Sequence, residues 1–474
     1  MNWKAYRNLL LLTLSLTGLR PAAAQSLSAE QGTPATPDAP TVQNAPAVQN
    51  APTTQQAPAA QSDTLFLPVS RLFELGVQQS LRLQADALEE NAARIREEEA
   101  RAGRLPDLSV GLRGGFAGQP VIFRQGLREP YRPDSPDWSQ NYAVDFSQPL
   151  YQGGKIRHAI RRAGQERTLA ALKSQTDAAD LKLSLLEQYM QLFSLYREQE
   201  VLSRNIEESE RRLHDIRRMK EEGLITNNDV LRSEMQLTND RLSLQQTDND
   251  IALVSQQLDI LLGLDEELLI APDTTLLYRA ISMESYERYV EEACEEDPTM
   301  KQLRMQTEMA RTDVDLARAA LRPGVSLYAS NTLARPIART MEDLYNNTWN
   351  VGLSISVPLS ALYKGSHKVR ESRVAVEVRR NAEEQEIQRI RVQVRTAFLR
   401  HREAVQQVEA LQLSARQAQE NYRIMQNRYM NQLAILTDLL DANSVRLDVE
   451  LQLTAARTRV IYTYFQLLRA VGRL

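Results

Sequence analysis

Residue types that commonly carry out catalysis or bind metals are scarce in this sequence. It has one cysteine, Cys294, and four histidines: His158, His214, His367 and His401. Cys294 lies in the acidic run 291–297, whose carboxylates disfavour the thiolate that a nucleophile requires. The run itself is typical of a solvated helix face. No nucleophile–base pair and no metal-ligand cluster stands out, so the sequence predicts neither an enzyme nor a cofactor site.

The composition excludes several broad classes of protein. The chain has 474 residues, a formal net charge of −4 and 25% charged residues, which argues against a nucleic-acid-binding protein. A single cysteine excludes a disulfide framework. The 19 prolines are unevenly placed, because eight precede residue 69 and none lies in 150–271 or 359–474. Proline-free stretches of this length favour long helices.

The first 68 residues precede the main fold. Lys4 and Arg7 are followed by the apolar run 9–14 and by Ala22–Ala24, a pattern typical of a cleaved signal peptide over residues 1–24. Residues 25–68 contain a repeated six-residue Ala-Pro unit with few large apolar side chains. Such a segment cannot bury a core, so we expect a disordered spacer.

The remaining chain is an internal duplication. At an offset of 209 residues Pro149 falls on Pro358 and Asp229 falls on Asp438, and the apolar positions between them follow without a gap. We place repeat 1 at 69–264, a connection at 265–283 and repeat 2 at 284–474. Each repeat is predicted as helix, strand, strand, very long helix and helix.

The long helices have the spacing of coiled coils. Leu183, Leu186, Met190 and Phe193 step by three, four and three residues. Helices over 155–222 and 366–431 would each be ~100 Å long at 1.5 Å per residue. A helix of this length with a narrow apolar stripe needs partner helices along its whole length.

Four short stretches alternate apolar and polar residues as β-strands do: 108–113, 142–147, 325–328 and 351–357. A soluble sheet gives the same alternation, but an export signal and ~100 Å helices favour strands of an outer-membrane barrel. Trp138 and Trp349 lie near the starts of two strands, where an aromatic girdle is expected. Four strands cannot enclose a lumen, so the strand count predicts a trimer with a twelve-stranded barrel.

The sequence resembles the TolC-type outer-membrane efflux family from about residue 70 to its end. The resemblance is carried by Pro149–Lys155 between strand and long helix and by the turn regions 223–231 and 436–442. It implies a mainly α protomer with a small β part, and a trimeric β-barrel continued by an α-helical coiled-coil tunnel in the periplasm. It also implies the exit duct of a tripartite efflux or type I secretion system in the outer membrane of a Gram-negative bacterium. The implied partners are two further copies, a periplasmic adaptor, an inner-membrane pump and outer-membrane lipid.

The resemblance also assigns individual residues. Asp438 and Asp441 match the carboxylates that narrow the periplasmic mouth, although Asp438 would also suit the N-cap of the last helix. Asp229 and Tyr429 match a closed-state contact between the tips, while Ala434 replaces the basic residue of well-known relatives.

The same resemblance predicts that the adaptor docks on the two tips. Gly223 and Leu224 match the docking motif of the first tip. Their counterparts at the second tip are Gln432 and Leu433, where the glycine is lost, so the two half-sites need not bind equally.

Two other functions compete with a channel. A periplasmic coiled-coil adaptor also contains a helical hairpin, but it has one hairpin flanked by strands, whereas this sequence predicts two hairpins with strands between helices. An enzyme is the weaker alternative because of the residues described above. The sequence leaves open the transported substrate and whether the pump is driven by protons or by ATP.

Overall fold

The structure is a computed structural model. It describes the following residues: 64–116, 118, 121–133, 135–273, 283–337 and 342–474. The predicted signal peptide and the predicted spacer up to residue 63 lie outside them. The described part is mainly helical with a small β component, which confirms that part of the predicted fold class.

The elements of the first half of the chain are β1 (Thr64–Leu67), α1 (Val69–Gln79), α2 (Leu81–Ala102), β2 (Asp107–Phe116), β3 (Ile122–Gln125), β4 (Arg128–Tyr131), β5 (Trp138–Gln152), α3 (Lys155–Glu221) and α4 (Asn227–Leu262). Those of the second half are β6 (Leu269–Pro272), α5 (Tyr286–Glu296), α6 (Pro298–Ala319), β7 (Gly324–Arg335), β8 (Asn346–Ser356), α7 (Ala361–Met430) and α8 (Leu436–Val471).

Strands β2, β5, β7 and β8 form one antiparallel sheet in that order. Val144 of β5 pairs with Val110 of β2 and with Asn331 of β7. Asn331 in turn pairs with Trp349 of β8, and paired residues share a face of the sheet. This face exposes apolar side chains in the single chain: Leu108, Val110, Leu112, Tyr142, Val144, Trp349, Val351, Leu353 and Ile355. Within the described residues β2 and β8 each leave one edge unpaired.

Helices α3 and α7 are the longest elements in the described part of the chain. They contain 67 and 70 residues, which corresponds to ~100 Å each at 1.5 Å per residue. α3 matches its predicted start, whereas α7 begins at Ala361, five residues before the predicted position. No helix in the described part of the chain is both long enough and apolar enough to cross a membrane.

The shorter helices stack end to end beside α3 and α7. α4 ends at Gly263 (φ 65°), where a Cβ would lie 3.2 Å from the Gln79 side chain at the end of α1, just before α2. α8 ends at Gly472 (φ 85°), where a Cβ would lie 3.0 Å from Cα of Asp297, the N-cap of α6. Glycine adopts the left-handed conformation without strain, and at Gly472 it also leaves room for the backbone of Asp297. At the second junction the carboxyl end of α8 therefore lies against the residue that caps the start of α6, and the opposite partial charges of the two helix ends attract.

Side by side, the helices form one layer. Nearer the sheet α3 and α7 flank α6, with α2 on the other side of α3. Nearer the tips α3 and α7 flank α8, with α4 on the other side of α3. The outer positions of the layer are therefore occupied by α2 and α4 at one edge and by α7 at the other.

Two apolar clusters stabilise the part of this layer between its middle and the tips. Near the middle, the waist cluster includes Leu186, Tyr189 and Leu258, all without exposed surface. Each fully buried leucine of this kind contributes roughly 1.5–3 kcal/mol. At the far end, the tip cluster joins all four helices: Ile206, Leu213, Ile216, Val230, Leu237, Tyr422, Tyr429, Leu436, Leu439 and Ala442.

The predicted boundary of the spacer is wrong. β1 (Thr64–Leu67) lies inside the predicted spacer 25–68, yet it pairs in parallel with β6 from the predicted connection 265–283. Leu67 is 2% exposed, and its carbonyl accepts a 2.6 Å hydrogen bond from the Tyr189 hydroxyl. A four-residue strand whose partner lies far away in the sequence leaves no periodic signal of its own.

Candidate functional site at the helical tips

The first tip is the turn between α3 and α4. Gly223 has φ 75°, and its amide donates to the carbonyl of Lys220 at 2.9 Å. The Leu224 amide donates to the carbonyl of Met219, also at 2.9 Å. These two bonds satisfy carbonyls that the end of a helix otherwise leaves unpaired. The Leu224 side chain remains 47% exposed.

The second tip, between α7 and α8, has the same backbone geometry without a glycine. Gln432 adopts φ 60°, and its amide donates to the carbonyl of Tyr429 at 2.9 Å. The Leu433 amide donates to the carbonyl of Arg428 at 2.8 Å. Leu433 is 68% exposed, so both tips present a leucine to their surroundings.

Asp229 is engaged in its own helix start. Its Oδ2 accepts hydrogen bonds from the Thr226 amide at 3.1 Å and from the Thr226 hydroxyl at 2.8 Å. Together these two residues form the capping box of α4.

Tyr429 lies in the tip cluster and is 4% exposed. Its hydroxyl oxygen is buried and has no hydrogen-bond partner among the described residues. Burial, with the nearby negative charge of Asp229, raises the pKa of Tyr429 to about 12. The single chain thus brings Asp229 and Tyr429 to the same tip but joins them by no hydrogen bond.

Asp438 and Asp441 are exposed on the first turns of α8. The helix begins at Leu436 with Ile435 as its N-cap, so the alternative role of Asp438 as the N-cap is wrong. Three residues apart on a helix, the two carboxylates share a face. Neither forms a hydrogen bond or ion pair with another residue in the described ranges, so both are available to a cation.

A different contact joins the two hairpins at the tips. The Arg232 guanidinium of α4 donates a 2.8 Å hydrogen bond to the hydroxyl of Thr437 in α8. Both side chains are exposed, so this contact holds the second hairpin only weakly.

His401 and Cys294 have the surroundings of structural residues. His401 is 1% exposed, and its Nδ1 lies 3.1 Å from both the Val460 carbonyl and the Thr463 hydroxyl. Burial lowers the pKa of His401 and raises the pKa of the Cys294 thiol, so a neutral imidazole and a thiol are favoured. Within the described residues no group of three or more His, Cys, Asp or Glu side chains could hold a metal ion.

Sequence reasoning missed a set of buried polar residues above the tips. Asn205, Ser209 and Arg212 of α3 occupy the core positions of a heptad frame between Leu202 and Ile216. Polar residues at such positions usually specify how helices pair. That spacing was the available signal, and its partners on the other helices are visible only in the folded chain.

Comparison with known proteins gives a family and a related secretion protein. The family profile described as "Outer membrane efflux protein" matches residues 73–264 and 289–473. The alkaline protease secretion protein AprF of Pseudomonas aeruginosa is 25% identical over 315 residues. That alignment covers 63% of this chain and 64% of AprF, so the chain matches somewhat less than two thirds of the relative's length.

Solved structures share the fold at low sequence identity. The outer-membrane channel OprN matches with a TM-score of 0.69 and 18% identity, covering 85% of this chain and 89% of that chain. VceC from Vibrio cholerae matches with 0.69 and 19%, covering 85% and 96%. CusC, described in terms of transmembrane channel formation, matches with 0.72 and 15%, covering 88% and 95%.

Proposed function

The chain belongs to the outer membrane efflux protein family, and we propose that it is the outer-membrane exit duct of a tripartite efflux or type I secretion system. It resides in the outer membrane of a Gram-negative bacterium and extends into the periplasm. It passes substrates from an inner-membrane pump to the outside. The observation that carries this proposal is an exposed apolar sheet face at one end of helices ~100 Å long.

Three copies assemble side by side into the channel. β2 and β8 each offer an unpaired edge, so three four-stranded sheets close into a twelve-stranded barrel with its apolar face toward lipid. The helical layer closes in the same way into a tunnel. The order helix, strand, strand, long helix, helix occurs in both halves of the chain, which supports the internal duplication.

The edges of the helical layer carry apolar stripes that suit this closure. On α2 the stripe is Leu81, Leu88 and Ile95, spaced by seven residues and 79%, 70% and 52% exposed. On α7 it consists of Val378, Val392, Leu399 and Leu413, spaced by multiples of seven. Such heptad stripes are typical of a coiled-coil seam, so the neighbouring copies cover them in the channel.

Asp438 and Asp441 form the pore gate at the periplasmic mouth. In a trimer six of these carboxylates surround the constriction, and rings of carboxylates favour cations. Asp229 and Tyr429 provide closed-state contacts at the tips. The exposed tip turns at Gly223, Leu224, Gln432 and Leu433 dock a periplasmic adaptor, which links the duct to the pump.

The duct performs no catalysis and needs no cofactor. The name of AprF refers to protease secretion, so a secreted polypeptide is one class of cargo proposed for this channel. Two hairpins with strands between them argue against the alternative of a periplasmic adaptor protein.

Conductance measurements in planar bilayers test the gate. We expect the double variant Asp438→Ala/Asp441→Ala to conduct several-fold more than the wild type and to be blocked less by divalent and trivalent cations. The matched control Asp248→Ala/Asp250→Ala removes two exposed carboxylates of α4 far from the tip and leaves both properties unchanged. Cation block unchanged in the gate variant would refute the gate, and absence of any pore would refute the channel.

A further inference from the structure

Buried polar side chains connect the first hairpin to α7. Asp240 of α4 accepts hydrogen bonds from Asn205 at 2.9 Å and from Ser209 at 3.2 Å. Arg212 donates to the Ser209 hydroxyl at 2.7 Å and, through its other terminal nitrogen, to the Tyr422 hydroxyl of α7 at 3.0 Å. All five side chains are at most 6% exposed.

Residues of α8 close these contacts into a ring. The Arg446 guanidinium lies 4.2 Å from the centre of the Tyr422 ring. It donates to Oδ1 of Asn443 at 2.9 Å and to Oδ1 of Asn205 at 3.3 Å. The Asn443 amide donates to the same Asn205 oxygen at 3.1 Å. These contacts form a closed ring that includes residues of all four helices. We call it the buried polar ring, and its members are Asn205, Ser209, Arg212, Asp240, Tyr422, Asn443 and Arg446.

The ring contributes more to the specificity with which the hairpins pair than to the free energy of folding. The desolvation free energy lost on burying charged groups nearly cancels the free energy gained by pairing them. Removing one partner, however, leaves the others buried and unpaired, which costs about 3 kcal/mol or more. Arg446 also forms a 2.7 Å ion pair with Glu208 of α3. Any sliding of α8 along α3 would break the bonds of Asn443 and Arg446 to α3 at once, so the ring permits one register.

The ring lies close to the carboxylates of the proposed gate. Asn443 follows Asp441 by two residues and Arg446 follows it by five, which is ~7.5 Å along one uninterrupted helix. Between the ring and the tips, the side-chain hydrogen bond that joins the two hairpins is the exposed contact of Arg232 with Thr437. The ring is therefore the buried polar link nearest to the mouth.

We infer that Arg446 and Asn205 are positioning residues for the gate, because they hold the start of α8 on the first hairpin and so place Asp438 and Asp441 at the mouth. This inference rests on the proposed function of those two aspartates. The ring acts through the position of α8, and its members touch no transported ion.

The test is the variant Arg446→Met, which keeps the length of the side chain but removes its charge and hydrogen bonds. We expect a several-fold higher single-channel conductance and weaker block by divalent cations, because the carboxylates no longer converge. Arg204→Met is the matched control, since Arg204 joins α3 to Glu450 of α8 at 3.2 Å but is exposed. An exposed pair contributes little, so this control should behave as the wild type.

A double-mutant cycle separates positioning from general loosening. If Arg446 acts through the gate, adding Arg446→Met to Asp438→Ala/Asp441→Ala reduces the cation block no further. Additive losses of block would overturn the inference, as would wild-type conductance and block in Arg446→Met when the gate variant changes both. A gate variant with unchanged block refutes the gate itself, which is a separate failure.

Asn443→Ala, which removes no charge, repeats the test if Arg446→Met fails to form trimers. Wild-type behaviour of Asn443→Ala would overturn the inference.

Discussion

At the scale of single residues, the corresponding aspartates of the two tips differ in their hydrogen bonds. Asp229 and Asp438 both stand third in their helices, but only Asp229 has a threonine N-cap with which to form a capping box. Ile435 stands in that place in α8 and has no side-chain acceptor. The sequence predicted that both aspartates lie at the tips, whereas the identity of each N-cap residue decides which carboxylate stays free.

Tyr429 provides a test of the closed-state contact. If the Tyr429 hydroxyl contacts Asp229 in the closed channel as proposed, Tyr429→Phe should destabilise the assembled protein by about 1–2 kcal/mol and lower its unfolding temperature. Tyr422→Phe is the matched control, because the Tyr422 hydroxyl accepts a hydrogen bond from Arg212. Its loss should destabilise the protein by about 1–2 kcal/mol. If Tyr429→Phe instead leaves the unfolding temperature unchanged or raises it, the hydroxyl is buried without a partner, which costs about 1–3 kcal/mol, and the contact with Asp229 is refuted.

At the scale of elements, the helix boundaries were largely predictable and their end-to-end stacking was not. Ser80 and Asp297-Pro298 are recognisable starts of helices, and Gly263 and Gly472 are recognisable ends. These signals are local. The contact of α8 with α6 joins distant parts of the chain, so no periodicity within one helix could reveal it.

The second tip turn predicts an asymmetry between two substitutions. Gln432 holds a left-handed conformation that costs a residue with a Cβ about 1 kcal/mol, so Gln432→Gly should stabilise the protein by up to that amount. Gly223→Ala should destabilise the first tip by a similar amount, although nothing lies within 4 Å of the added Cβ. Chemical denaturation of both variants measures the two effects. A destabilised Gln432→Gly protein would show that the glutamine side chain makes a stabilising contact at the tip.

At the scale of the whole molecule, heptad spacing predicted that the long helices need partners along their length, and alternation predicted the strands and their apolar face. The partners of α3 within the chain now account for its buried side. The buried polar ring escaped prediction because its members come from four helices, and only packing brings Asn205 next to Asn443 and Arg446. The exposed stripes on α2 and α7 have the same heptad spacing, but no other helix in the described part of the chain covers them.

The stripe on α2 makes the assembly testable. If a neighbouring copy covers Leu88, which is 70% exposed in the single chain, then Leu88→Glu buries an unpaired carboxylate at each interface. Each such charge costs about 3 kcal/mol or more, so trimers should give way to smaller species in light scattering of detergent-solubilised protein. Val445→Glu is the matched control, because Val445 is 46% exposed on α8, which lies inside the layer between α3 and α7. Equal loss of trimers in both variants would indicate a general effect of the added charge, whereas intact Leu88→Glu trimers would show that copies do not meet along α2.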